Sequence, residues 1–199
     1  MYQHLKVLNE SSKVTWAARV KNLLYMYGFG NVWQQQGVGN CELFVEIFKR
    51  RISDVAIQQW HTELQENRKL NVLSQAKDCL DVEKYLSCIR IHHHRTALSR
   101  FRCSNHKLSI ERLRGTVDRE YRFCKYCVNN GQNVIEDEYH FLAICPLYNV
   151  VRNTYLSNHL QQTEISFNKL MSSQNENIIR KLASFIYHAL HIHKIFNGL

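Results

Sequence analysis

The sequence predicts a mainly α-helical protein, a helical bundle with one small cysteine-rich module and a C-terminal amphipathic helix. Apolar residues recur at helical spacing through most of the 199-residue chain. A single proline and only seven glycines leave long stretches without a helix breaker. The cysteine-rich module is predicted because three of the seven cysteines gather with a histidine in one short segment.

The composition is that of a folded chain, with 45% hydrophobic, 11% aromatic and 22% charged residues. No uncharged apolar run reaches the roughly 20 residues that a membrane span needs. The first residues, MYQHLKVLNESSK, are too polar for the apolar core of a signal peptide. We therefore expect an intracellular protein of the cytoplasm or nucleus with no membrane partner. Thiols stay reduced there, so an odd number of cysteines should be free or metal-bound.

Residues 1–98 are predicted to form a helical region. The first helix lies in TWAARVKNLLYMYG, and Gly28 and Gly30 should end it, so that GFGNVWQQQGVGN is predicted to be a loop. A weaker helix is predicted over residues 72–80, and a mixed helical pattern follows from 83 to 101. The apolar faces of the first two helices are Trp16, Val20, Leu23, Leu24 and Tyr27, then Phe44, Ile47, Phe48, Val55, Ala56, Trp60 and Leu64.

Two further predictions concern packing and the C-terminal end. The tryptophans, and the cysteines outside the cysteine-rich module, are expected to pack in the interior: Trp16, Trp33, Trp60, Cys41, Cys79 and Cys88. Residues 153–199 are predicted to form C-terminal helices. The last helix, over about 176–197, carries an apolar side of Ile178, Leu182, Phe185, Ile186, Ala189 and Leu190.

Most of the formal charge of +9 lies in one segment. Residues 90–125, here called the basic block, hold 10 basic and 3 acidic side chains. Such a concentration favours a polyanionic partner, RNA or DNA, because arginine binds phosphate bidentately and stacks on bases. The candidate nucleic-acid-binding residues are Arg95, Arg100, Arg102, Lys107, Arg112, Arg114, Arg119, Arg122 and Lys125. A small-molecule substrate is not expected.

Aromatic and histidine residues in and beside the basic block allow two interpretations each. Phe101, Tyr121, Phe123 and Tyr126 either stack on unpaired bases or form a small core. The tract His92–His94 cannot chelate one ion well, because consecutive residues of a helix point in different directions. A solvated or phosphate-facing turn is expected there.

The cysteine-rich segment has the spacing of a metal site. Cys124, Cys127, His140 and Cys145 form the pattern C-x2-C-x12-H-x4-C. Cys3His is a common tetrahedral set for zinc, and four protein ligands leave no open position, so structural Zn²⁺ is expected. A rival set replaces His140 and Cys145 by Cys103 and His106, and buried free cysteines are a further alternative. Residues 99–152 are thus predicted to combine the basic segment with a CCHC zinc knuckle.

Catalytic chemistry is not indicated by the sequence. The acidic run at 136–138 cannot converge on metal ions alone, and Glu136 and Asp137 are expected to be solvated. No nucleophile with an adjacent base is evident. We therefore expect a protein that is not an enzyme.

The stretches LSRFRCSNHKLSIE, CKYC and IEDEYHFLAICPLY, followed by Arg152, resemble a known zinc-binding region. That region lies downstream of the reverse transcriptase in LINE-type (non-LTR) retrotransposons. The resemblance covers most of the chain and is strong from about residue 84 to 152. Residues 1–98 are similar to the connector between polymerase and zinc motif in such elements.

The resemblance implies the metal set Cys124, Cys127, His140 and Cys145 and a role in gripping template RNA or target DNA. A reverse transcriptase of the parent polyprotein is the implied protein partner. The paired-aspartate polymerase motif and the nuclease motifs of such elements are absent from the sequence. The resemblance therefore implies a detached, non-catalytic C-terminal piece of a longer polyprotein. The alternative is a protein-interaction module that docks on a polymerase and uses zinc only to stabilise its fold.

Overall fold

The computed structural model describes residues 15–160 and 167–198. They are mainly helical, as predicted, and their β-type pairing is one antiparallel bridge between Phe123 and Ile135. The chain divides into two compact units, Met1–Thr62 and Glu63–Leu199. No helix within the described residues is long and apolar enough to cross a membrane.

The helices vary widely in length, from one turn to 26 residues. In chain order the α-helices are α1 (Trp16–Met26), α2 (Gly30–Gln35), α3 (Cys41–Glu66), α4 (Asn71–Ala76), α5 (Lys84–Cys88), α6 (His92–Arg102), α7 (Ser109–Arg112), α8 (Lys125–Asn129), α9 (Asn149–Leu160), α10 (Phe167–Met171) and α11 (Glu176–Asn197). Short 3₁₀ turns occupy Arg68–Leu70, Arg119–Tyr121 and Pro146–Tyr148, and a π-helical turn spans His140–Ile144.

The first unit has a small core. Ala17, Leu24 and Trp33 are buried, and Phe29, Phe44 and Phe48 are among the side chains that pack against them. The hydroxyl of Thr15 accepts the Ala18 N–H at 3.2 Å and so caps α1. Past the end of α1, Gly28 adopts a left-handed φ of 85°, which confirms it as a helix stop.

Two tryptophan-containing segments of the first unit differ from the prediction. The predicted loop contains helix α2, because the buried Trp33 holds this segment against the aromatic core. Trp16 is 64% exposed rather than packed in the interior. It stands one position away from Ala17, which takes the inward-facing place on α1.

Helix α3 extends beyond the small core of the first unit, against which only part of its length packs. Phe44 and Phe48 pack against the core of the first unit as predicted, but Ile47 is exposed. The exposed large apolar side chains of this helix are Leu43, Val45, Ile47, Ile52 and Ile57. A three-residue buried core is too small to cover a 26-residue helix.

The second unit is built around α11. The predicted apolar side of this helix is confirmed, with Leu182, Phe185, Ile186 and Ala189 fully buried. Asn175 caps its first turn through Oδ1, and Gly198 ends it in the left-handed conformation. This core draws on residues from Val72 to Ala189 and so includes parts of all three sequence regions, 1–98, 99–152 and 153–199.

The predicted mixed helix over 83–101 is interrupted. Ile89 and Ile91 have extended backbones, which separate α5 from α6. Arg95 stabilises the break by donating to the carbonyls of Leu86 and Ile89 at 3.4 and 3.2 Å. Arg180 of α11 donates to the Cys88 carbonyl at 3.1 Å from the other side.

The cysteines outside the cysteine-rich module were predicted as packing residues, and only one of them is. Cys88 is buried on α5, whereas Cys41 and Cys79 are exposed. Cys41 begins α3 at the surface, and Cys79 lies in the turn after α4, which ends at Ala76 rather than near residue 80.

Candidate metal centre and basic surface

The predicted ligands Cys124, Cys127, His140 and Cys145 lie together in the interior. Each is at most 2% exposed, and their ligand atoms are all within 4.8 Å of one another. They are the group of metal-binding side chains that the described residues bring together. The four residues are therefore close enough to bind one metal ion.

Local backbone bonds position the first two thiols. Cys124 precedes the first turn of α8, and Cys127 lies one turn further on, so both side chains face the same side. The Cys124 N–H donates to the Val134 carbonyl at 2.8 Å, which ties the turn to the returning strand-like segment. The connecting loop reverses at Gly131, whose φ is 79°.

The other two ligands are held by the π-helical turn. Asp137 Oδ1 accepts the His140 N–H at 2.8 Å, and the Cys145 N–H donates to the His140 carbonyl at 2.8 Å. This i to i+5 bond is the defining contact of a π-turn, a rare feature that is frequent at functional sites. Because a π-turn is wider than an α-helical turn, a spacing of five residues brings both side chains inward.

Arg152 closes the backbone of the π-turn. Its buried guanidinium donates to the carbonyls of Leu142, Cys145 and Phe141 at 2.7, 2.9 and 3.3 Å. It also donates to Asn149 Oδ1 at 2.5 Å. The Cys145 carbonyl also accepts the Tyr148 N–H at 3.3 Å, so Arg152 matters most for the carbonyls of Leu142 and Phe141. Arg152 is thus a positioning residue for the Cys145 end of the site, a role that sequence spacing alone did not show.

Two of the distances between ligand atoms match those expected around a tetrahedral zinc ion. With Zn–S near 2.3 Å and Zn–N near 2.05 Å, two ligand sulfurs should lie about 3.8 Å apart and a sulfur and nitrogen about 3.6 Å apart. The Cys124 and Cys145 sulfurs are 3.8 Å apart, and Cys127 Sγ lies 3.4 Å from His140 Nε2. The sulfur separation is far beyond the roughly 2.05 Å of a disulfide.

The electrostatics of the thiols show why a cation suits this cluster. The hydrogen bond from the Cys145 thiol lowers the pKa of Cys124 to about 5. The same bond raises the pKa of Cys145, and burial raises that of Cys127. Three adjacent sulfurs cannot all ionise without a positive charge among them, and a bound divalent cation supplies it.

The rival ligand set is not assembled. Cys103 is exposed, and the buried His106 Nε2 lies 3.1 Å from Glu138 Oε1 instead of near the thiols. The Ser104 hydroxyl donates to the same carboxylate oxygen at 3.1 Å. Burial by itself would raise the pKa of Glu138, but the contact with His106 more than offsets it, and the pKa is lowered.

The prediction that Glu136 is solvated was wrong, since this residue is only 3% exposed. It accepts the Ser109 N–H at 2.7 Å, and its Oε1 lies 3.2 Å from His193 Nε2, an ion-pair distance without hydrogen-bond alignment. Burial opposes its ionisation, yet His193 and Ser109 together lower its pKa. The sequence carried a signal for this partner, because His193 continues the spacing of Leu182, Ile186 and Ala189 on the buried side of α11.

Part of the basic block is used inside the fold. Arg102 is buried and ion-paired with Glu83 at 2.7 Å, so its guanidinium does not project into solvent. Arg122 donates to the carbonyls of Val117 and Ile110, both at 2.8 Å. Arg114 pairs with Glu111, and Arg95 bridges the α5–α6 break described above.

The remaining candidate residues are exposed. They are Arg100, Lys107, Arg112, Arg119 and Lys125. Among the described residues, Lys125 contacts the ring of Phe196 at 5.9 Å, whereas the other four side chains have no ion-pair partner. Arg119 also lines a pocket of about 580 Å³ that contains Arg114 and Arg122. The predicted phosphate-binding set therefore divides into four internally bonded and five outward-facing side chains.

The aromatic residues near the basic block divide in the same way. Phe101 is fully buried and packs with Phe141 at 5.4 Å, so it belongs to the core. Tyr121 is 59% exposed and meets Phe123 edge-on. Tyr126 is half-buried and packs against Phe196. Of the four, Tyr121 has the most surface available for stacking.

Comparison with known protein families, with curated proteins and with solved structures finds no match for this chain.

Proposed function

We propose that this protein is a non-catalytic, zinc-stabilised nucleic-acid-binding protein that grips RNA or DNA through its basic block. The observation that carries the proposal is the outward-facing set Arg100, Lys107, Arg112, Arg119 and Lys125. These side chains belong to the same compact unit as the buried Cys/His cluster. The metal stabilises the unit, and the exposed cations bind phosphate.

The resemblance to LINE-type retrotransposons supports a more specific proposal. On this basis the chain is a piece of a reverse-transcriptase polyprotein, and its nucleic acid is template RNA or target DNA. Arg152 is one of the residues that carry the resemblance. Its contact with the π-turn explains why an arginine would occur together with the ligand residues, because the guanidinium fixes the backbone at Cys145.

The first experiment measures zinc in the purified protein. We expect one zinc per chain, retained by His106→Gln and Cys103→Ser and lost by Cys124→Ser and Cys145→Ser. The first two variants serve as matched controls, since they remove the rival ligands without touching the cluster. Equal zinc content in all four variants would contradict the ligand assignment.

The second experiment measures binding of a single-stranded RNA or DNA across a range of salt. If the five outward-facing cations each contact a phosphate, the logarithm of the association constant should fall with the logarithm of salt at a slope of about −3.5. Reversing all five to glutamate should abolish binding. The control reverses Lys49 and Arg50, two exposed cations of the first unit, and should leave the slope unchanged. Absence of binding by the wild type at about 50 mM salt would contradict the proposal.

One observation favours a second function, docking on a polymerase partner. Helix α3 exposes five large apolar side chains, and such exposure often marks a protein-interaction surface. The charge-reversal variant separates the two functions. Docking through α3 should survive reversal of the basic block, whereas nucleic-acid binding should not.

A further inference from the structure

A pocket of about 710 Å³ lies between α6 and α11, in the second unit, and none of the four Cys/His residues lines it. Volumes of this size are typical of small-molecule sites. Its apolar wall includes Ala97, Leu190 and the ring of Tyr187. Neither the proposed zinc nor phosphate contacts along a nucleic-acid strand require such a cavity. The residues that line it indicate the kind of ligand it would bind.

The lining is strongly cationic. Arg100, Lys107 and Lys194 stand at its exposed edge, and no aspartate or glutamate is among the lining residues. These three side chains have no ion-pair partner among the described residues. A concave surface with cations and no carboxylates favours an anionic ligand.

Two buried histidines form the inner wall. The side chains of His106 and His193 are 0% and 2% exposed. Each Nε2 faces a carboxylate, that of Glu138 or Glu136, and these contacts hold both rings in place. Each Nδ1 is buried and has no hydrogen-bond partner within the described residues. Because both rings are almost fully buried, they shape the wall of the pocket, and the exposed cations at its edge supply the donors for a ligand.

A metal ion does not suit this pocket. Five histidines line it, but the described residues bring metal-ligating atoms together only at the Cys/His cluster. An anion that accepts hydrogen bonds from several directions suits it better, since a phosphate monoester offers three terminal oxygens to guanidinium and ammonium donors.

We propose that this pocket binds the phosphate monoester of a nucleotide, with the phosphate at Arg100 and Lys107. The base lies along Tyr187, which already packs against the His93 ring at 4.5 Å. The volume exceeds what a bare phosphate fills and accommodates a sugar and base as well. The nucleotide is either free or the phosphorylated end of a strand. In the second case the pocket deepens the proposed function, because it selects strand ends.

The test is calorimetric titration of the full chain with 5′-AMP, adenosine and inorganic phosphate. We expect AMP to bind at least tenfold more tightly than adenosine, since a charge-assisted hydrogen bond contributes roughly that factor. Two ten-nucleotide strands, one with a 5′-phosphate and one with a 5′-hydroxyl, then distinguish a strand end from a free nucleotide. Equal binding of AMP and adenosine would overturn the proposal.

Two variants locate the ligand. Arg100→Gln combined with Lys107→Gln should weaken AMP at least tenfold, and both side chains are exposed, so the fold should persist. Thr96→Trp fills the pocket without changing its charge and should have the same effect. The control, Arg112→Gln combined with Arg119→Gln, removes two exposed cations outside the pocket and should change AMP binding less than twofold.

The same control keeps the two proposals separate. It should weaken binding of the 5′-hydroxyl strand while leaving AMP unaffected. Retained AMP binding without any strand binding would support the pocket and contradict the proposed function. Strand binding with unchanged AMP affinity in both the double and the Thr96→Trp variants would contradict the pocket alone.

Discussion

Replacing Arg152 by methionine should cost both stability and zinc affinity. Methionine keeps much of the side-chain volume but has no donors, so the carbonyls of Phe141 and Leu142 lose the Arg152 donor, and that of Cys145 keeps only the Tyr148 N–H. Leaving a buried acceptor unsatisfied costs about 1–3 kcal/mol. Taking about 1–2 kcal/mol for each of the two carbonyls left without a donor gives a loss of about 2–4 kcal/mol. That is a large share of a domain's usual 5–15 kcal/mol.

The effect on the metal has a separate cause. Arg152 fixes the carbonyl of a ligand residue, and loss of such an outer contact typically weakens metal affinity about 10- to 100-fold. Urea denaturation of zinc-loaded protein gives the stability, and competition with a chromophoric chelator gives the affinity. The matched control is Arg112→Met, which changes an exposed arginine in the same unit. A stability loss for Arg152→Met within about 0.5 kcal/mol of this control would refute the reasoning.

Three further outcomes follow from the structure. Glu136→Gln should destabilise the protein at neutral pH. Because the pKa of Glu136 is lowered in the fold, its contribution is fully present above the unfolded value near 4.3 and is lost as the pH falls through the lower folded value. The stability difference from wild type, measured by urea denaturation, should therefore shrink below about pH 4. Cys41, Cys79 and Cys103 should react with Ellman's reagent before the other thiols, because they are exposed. Gly131→Ala should cost about 1–2 kcal/mol in the same denaturation assay, because alanine is strained at a φ of 79°.

Each of these outcomes has a control or a contradicting result. Glu120→Gln changes an exposed acid and should leave the pH profile unchanged. Fast modification of all seven thiols in the zinc-loaded protein would show that the cluster is open to solvent. Gly37→Ala substitutes a glycine without a positive φ and with open space around its Cβ, so it should be nearly neutral.

The periodic pattern of α11 was predicted well from the sequence, whereas that of α3 was only partly right, since Ile47 is exposed. The apolar side of α11 appears in the structure as predicted, because a helix of 22 residues repeats its signal several times. Short elements were harder. Helix α2 lies within a glycine-containing stretch, and its formation depends on where Trp33 can be buried, which is a tertiary effect.

The metal ligands could be found from spacing, but their surroundings could not. The C-x2-C pair reports one tight turn, whereas the contact between Glu136 and His193 joins residues far apart in the chain. The π-turn likewise could not be predicted, since nothing in the local sequence HFLAI distinguishes it from an ordinary helical turn. The count of charges locates the basic block in the sequence. It does not predict that Arg102 is ion-paired inside the fold while Arg100 is exposed.

The sulfurs of the Cys/His cluster share one continuous interior with Phe185 and its neighbours on α11. The cysteine-rich segment is therefore not a portable module. An excised peptide of residues 99–152 would leave behind the helix that covers it and should remain unfolded even with zinc present. Conversely, if the cluster holds zinc as proposed, removing it should loosen the whole second unit in one cooperative step. Thermal melting with and without a chelator should then show a lower melting temperature for the entire unit.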